Sequence, residues 1–126
     1  MKVSSISGIT CYVSDLTKAG EFYETIGFRP GKQEPDRMTF YVNWFFVTLI
    51  AQDRQEDAGS RGGADLPDKG TGLFTYVKVD DVDDYYKAVV SKGLSPESEP
   101  QARHGGQREF VLRDPDGYNL VFFEKK

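Results

Sequence analysis

The chain has 126 residues, 38% hydrophobic and 29% charged, enough for one domain-sized core and too apolar for wholesale disorder. Its formal net charge of −4 disfavours nucleic acid as a partner, since phosphate backbones are bound by clustered Lys and Arg. No apolar run reaches membrane-span length, Met1-Lys2-Val3-Ser4-Ser5 lacks the apolar core of a signal peptide, and Cys11 is the lone cysteine; a cytoplasmic address is expected.

From the N-terminus, Ile6 to Val13 reads as a strand. Asp15 then offers a carboxylate to the free N–H groups of a first helical turn. Leu16, Ala19, Phe22, Tyr23 and Ile26 follow at helical spacing, and Gly27 stands where the helix should stop. Phe28 to Lys32, Met38 to Val42 and Trp44 to Ala51 are strand candidates. The charged stretch from Gln52 to Gly70 holds few large apolar residues and reads as a long linker. Gly72 to Val79 is the next strand, Asp81 the next cap, and Val82, Tyr85, Tyr86, Val89 and Val90 the next helical stripe, ended by Gly93. Leu94 to Pro100, Gln107 to Arg113 and Tyr118 to Lys125 complete the set of strands. Asp114-Pro115-Asp116-Gly117 forms a turn between the last two.

The chain is written twice. The register that lays Val13-Ser14-Asp15-Leu16 on Val79-Asp80-Asp81-Val82 also lays Gly27-Phe28 on Gly93-Leu94. A cap, a stripe and a terminator thus recur together, giving two β-α-β-β-β units within a single domain, 1–126. Unit one covers about 4–51, the linker 52–70 and unit two 71–126.

Two such units, with Val-Ser-Asp-Leu, Phe-Tyr and Gly-Phe in the first and Arg113-Asp114-Pro115-Asp116-Gly117-Tyr118 closing the second, resemble the vicinal oxygen chelate superfamily. That group includes glyoxalase I, extradiol dioxygenases, fosfomycin-resistance transferases and bleomycin-resistance proteins. The resemblance implies an α+β fold of curled, incompletely closed mixed sheets around a ligand cavity, with helices outside. It says less about function, because one fold hosts many activities.

Enzymes of the superfamily hold a divalent metal with His, Glu or Gln side chains on the strands. The positions that the resemblance assigns to those ligands are here Gly8, Phe74, Val121 and, by a looser alignment, Thr48. Such cations need oxygen or nitrogen donors, and Gly8, Phe74 and Val121 offer none from a side chain. No metal, cofactor or catalytic residue is therefore expected. His104 is the lone histidine and sits in the loop-like Arg103-His104-Gly105-Gly106, where a solvated residue is the simpler reading. Asp80, Asp81, Asp83 and Asp84 are explained by capping and solvation, and Cys11 by packing under the helix.

Strand alternation places Thr10 and Tyr12 on the cavity side with Gly8, and Tyr76 with Phe74. Asn119, Val121 and Phe123 share that side on the last strand, and Glu109 and Val111 on the one before it. Phe46 and Thr48 join from unit one, with Trp44 at the rim. Aromatic walls with a carboxylate, an amide and hydroxyls suit a small aromatic or amphipathic molecule, and Glu109 favours a cationic one.

The expected function is metal-independent binding of such a compound, in the manner of the bleomycin-resistance branch. That branch is resembled most closely by Gly106-Gln107-Arg108-Glu109-Phe110. The alternatives are a glyoxalase-type lyase, isomerase or dioxygenase with a non-standard site, and a scaffold whose aromatics merely fill space. Open sheet edges favour a symmetric homodimer.

Overall fold

The computed structural model describes residues 1–52 and 69–125, apart from the side chain of His104. The expected linker at 52–70 falls almost wholly outside the described residues. Two units emerge, Met1–Pro67 and Asp68–Lys126.

Unit one runs β1 (Gly8–Val13), α1 (Leu16–Thr25), β2 (Arg29–Gln33), β3 (Arg37–Val42) and β4 (Phe45–Ala51). Its sheet has the order β1-β4-β3-β2, with β1 parallel to β4 and the other pairs antiparallel. Unit two runs β5 (Phe74–Lys78), α2 (Val82–Ser91), β6 (Gln101–Ala102), β7 (Gln107–Arg113) and β8 (Asn119–Lys125). Its order, β5-β8-β7-β6, repeats the first strand for strand, again with one parallel pair. Neither sheet closes on itself, and the α+β fold of two tandem units is as the sequence implies.

The repeat extends to the helix ends. Asp15 and Asp81 both take extended backbone angles, and each side chain accepts the N–H three residues on, Lys18 and Asp84, at 3.0 Å. Gly27 and Gly93 follow the last helical turns with φ of 101° and 88°, a conformation that costs glycine nothing. Replacing Asp15 or Asp81 by Ala is expected to lower stability by about 1 kcal/mol each, read by urea denaturation.

α1 packs Ala19, Phe22 and Tyr23 onto the face of sheet one that carries Cys11, Val13, Phe40, Val47 and Leu49. Tyr23 meets Phe22, Phe28 and Phe40 with ring centroids 5.2 to 6.1 Å apart. In unit two the counterpart core is Phe110, Leu112, Leu120 and Phe122, with Val82 and Val89 of α2. Tyr85 lies against Phe122 at 4.7 Å, and burial pushes its phenol upward. Val90, on the expected stripe, is exposed instead.

One expected strand is displaced. Residues 94–100 are irregular, and pairing with β7 begins only at Gln101. Pro96 and Pro100 have no N–H to give a ladder, and the segment donates to β7 from Glu97, to the Val111 carbonyl at 2.8 Å. The turn at Asp114 forms as expected. The Asp114 carboxylate accepts the N–H groups of Asp116 and Tyr118, both at 2.9 Å, and Gly117 takes φ 90°.

Candidate functional site

Each sheet has one face under its helix and one turned away from it. In sheet one the register sorts the second face into rows across the strands. Gly8, Phe46 and Tyr41 form one row; Thr10, Thr48 and Thr39 form the next; Tyr12, Ile50 and Arg37 form the third. The hydroxyls of Thr39 and Thr48 lie 3.4 Å apart. Arg29 joins the first row opposite Tyr41, with its guanidinium 5.0 Å from that ring's centroid. Thr10 is exposed, Thr48 and Phe46 are half-buried, and Tyr12 packs beside Ile50 in the interior. Trp44 stands exposed at the β3–β4 turn, its ring edge-on to Phe45.

In sheet two the corresponding rows are Phe74, Asn119 and Arg113; Tyr76, Val121 and Val111; and Lys78, Phe123 and Glu109. Phe74 and Tyr76 are about half exposed, at 49% and 55%, whereas Val121 is sealed. Tyr76 meets Phe123 edge-on at 5.8 Å. Asn119 is engaged at both ends. Its carbonyl accepts from Arg113 at 3.0 Å, and its amide donates to the carbonyls of Gly70 and Leu73 at 3.2 Å. That side chain therefore ties residues 70–73 to β8. Glu109 accepts from Gln107 at 2.9 Å and lies 3.9 Å from the Arg103 guanidinium, so its charge is already offset.

The positions where the resemblance would put metal ligands do not fit a metal. At Gly8 the ring of Phe46 lies where a side chain would begin, since a Cβ built there runs into it. Phe74 and Val121 bring carbon alone, and the Thr48 hydroxyl faces that of Thr39. Hard and borderline cations are not held by one neutral hydroxyl and hydrocarbon.

Elsewhere, Asp81, Asp83 and Glu124 bring carboxylate oxygens within 4.8 Å of one another. All three are occupied. Asp81 caps α2, Glu124 accepts the Val82 N–H at 2.7 Å, and Asp83 takes two bonds of 2.9 Å from Arg108. Those bonds to Asp83 hold the Arg108 guanidinium above its ordinary range. Arg108 thus supplies the positive charge that the cluster needs. Cys11 is buried on the helix side of β1.

Five residues of these sheet-one rows escaped the sequence reading: Arg29, Arg37, Thr39, Tyr41 and Ile50. The period-two alternation Arg37, Thr39, Tyr41 was a usable signal. It was ambiguous because β3 carries large side chains on both faces, with Met38 and Phe40 opposite.

Residues 5–122 match the family model of the Glyoxalase/Bleomycin resistance protein/Dioxygenase superfamily. No curated protein matches the chain. Among solved structures, a glyoxalase/bleomycin resistance protein/dioxygenase from Nocardioides superposes with a TM-score of 0.84 at 17% identity, over 99% of this chain and 85% of its own. A family enzyme from Burkholderia phytofirmans PsJN gives 0.82 at 16% identity, over 98% and 100%. A superfamily member from Sphaerobacter thermophilus gives 0.74 at 26% identity, over 98% of both chains. Strand order, paired caps, the closing turn and the match over nearly the whole length agree, and the chain belongs to the Glyoxalase/Bleomycin resistance protein/Dioxygenase superfamily.

Proposed function

We propose that this protein binds a small aromatic or amphipathic molecule without a metal. The observation that carries this is the exchange of donors for rings. Where the superfamily's metal ligands are expected, Phe46 covers Gly8 in unit one, and Phe74 and, one row on, Val121 stand in unit two. Tyr76 and Phe123 extend the aromatic surface there, and Thr39, Thr48 and Tyr41 add hydroxyls in unit one. Glu109 gives no support to a cationic ligand, because Gln107 and Arg103 already face it. Sequestration of a toxic compound, as in the bleomycin-resistance branch, is the cellular role this supports. Among the described residues no helix is long and apolar enough to cross a membrane.

Planar aromatic compounds, including bleomycin-type glycopeptides and aromatic dyes, are expected to quench Trp44, the chain's one tryptophan. Quenching should survive exhaustive chelation, and elemental analysis should find no stoichiometric metal. A broad panel without a single binder, or binding lost on chelation and restored by one ion per chain, defeats the proposal.

Assembly is the companion expectation. Among the described residues β2 and β6 end their sheets with edges that pair with no further strand, surfaces that a second copy would cover. Sedimentation at micromolar concentration should give twice the chain mass; a monomer at every concentration contradicts it.

A further inference from the structure

Phe46 and Tyr41 face one another across β4 and β3, yet their rings turn away from each other. The Phe46 ring lies over Gly8 on the edge strand β1, and the Tyr41 ring lies over Gly31 on the opposite edge strand β2. A side chain at either glycine would strike the ring. The strip between the rings is floored by β3 and β4, and the adjoining row supplies the paired hydroxyls of Thr39 and Thr48, both half-buried. Each ring thus covers an edge glycine, and the two lean toward opposite edges of the sheet.

A cation stands at one end of this strip. The Arg29 guanidinium lies over Tyr41 and donates to the Asn43 carbonyl at 3.1 Å. Asn43 turns that carbonyl from a left-handed backbone, φ 53°, in the β3–β4 connection. A guanidinium held by a ring and a carbonyl has surrendered much of its freedom before any ligand arrives, and its fork matches a carboxylate. Among the described residues that register places on this face, none is acidic; the charged ones are Arg29 and Arg37, and Arg37 lies 3.5 Å from Asp36.

We propose that the strip binds a planar aromatic acid, its ring between Phe46 and Tyr41 and its carboxylate on Arg29. This rests on the small-molecule reading above and narrows it, by naming the ligand's charge and the unit that reads it. The glycines at 8 and 31 are positioning residues, since they decide where the two rings lie.

The test uses three naphthalene probes of one shape and three charges: 2-naphthoate, 2-naphthamide and 2-naphthylmethylammonium, titrated into the full chain by calorimetry. Naphthoate should bind about tenfold more tightly than the amide, with the ammonium weakest. Arg29→Gln should abolish the preference for naphthoate over the amide, and Arg29→Lys should restore it in part, because charge returns without the fork. Gly31→Ala should weaken all three, as Tyr41 is pushed off its seat. A preference for the ammonium, equal affinities, or a naphthoate preference that survives Arg29→Gln overturns this inference and leaves small-molecule binding standing. Absence of binding by all three probes overturns this inference alone, since the broader reading is decided by the aromatic panel above.

Discussion

Phe122→Ala should remove about 3–5 kcal/mol of stability, whereas Tyr76→Ala should remove far less. Phe122 is fully buried between Tyr85, at 4.7 Å, and Phe110, at 5.5 Å, so truncation leaves a cavity that two rings and a helix must collapse to fill. Tyr76 sits on the other face of the same sheet with over half its surface in water, and its ring meets Phe123 by an edge. The contrast separates an aromatic that builds the fold from one available to a ligand. Denaturant melts of both variants, with binding of a planar dye measured alongside, read it directly. The dye should bind Phe122→Ala at a temperature where that protein is still folded, and should bind Tyr76→Ala more weakly by about 1–2 kcal/mol. Equal and large stability losses for both would make Tyr76 a core residue and favour the scaffold reading.

The second large effect lies at the closing turn. Lys69 and Asp116 pair at 2.9 Å with side chains only 8% and 4% exposed, so both charges have left water together. Removing one partner of a buried pair costs about 3–5 kcal/mol, because the other charge stays behind. Lys69→Met should therefore destabilise unit two by that order, and adding Asp116→Asn should recover most of it. The exposed pair Arg113–Glu97, at 3.4 Å, provides the control; solvent screens it, and Glu97→Gln should change stability by less than about 1 kcal/mol. A double variant no better than Lys69→Met alone would show that Lys69 acts through its packing and not its charge.

What the sequence made legible was the local chemistry. A carboxylate three residues before an N–H, a glycine after the last helical turn, and Asp-Pro-Asp-Gly between two apolar runs each act within a few residues, so Asp15, Asp81, Gly27, Gly93 and Asp114 could be assigned their places. The period-two pattern also gave β7 its observed limits, Gln107 to Arg113. β6 was misplaced because an apolar start at Leu94 outweighed two prolines that cannot join a ladder. The candidate site was legible only as a set of faces. Which way Phe46 leans depends on Gly8, far from it in sequence, and Asn119 finds its carbonyl partners at Gly70 and Leu73 across a distance that no local pattern records. One signal was within reach. Gln107 and Glu109 lie two apart on one strand, hence on one face, and their bond could have warned that the carboxylate was engaged.

The parallel pairing of each unit's first strand with its last has a consequence for birth on the ribosome. β1 leaves the exit tunnel first, but its place in the sheet is beside β4, which is made after every other element of the unit. Until then its N–H and C=O groups have water for company, while the hairpin of β3 and β4 can zip locally. β5 waits in the same way for β8. Synthesis from one end therefore meets the slowest closure of the fold twice, and each time the waiting strand is one that lies at an end of its sheet.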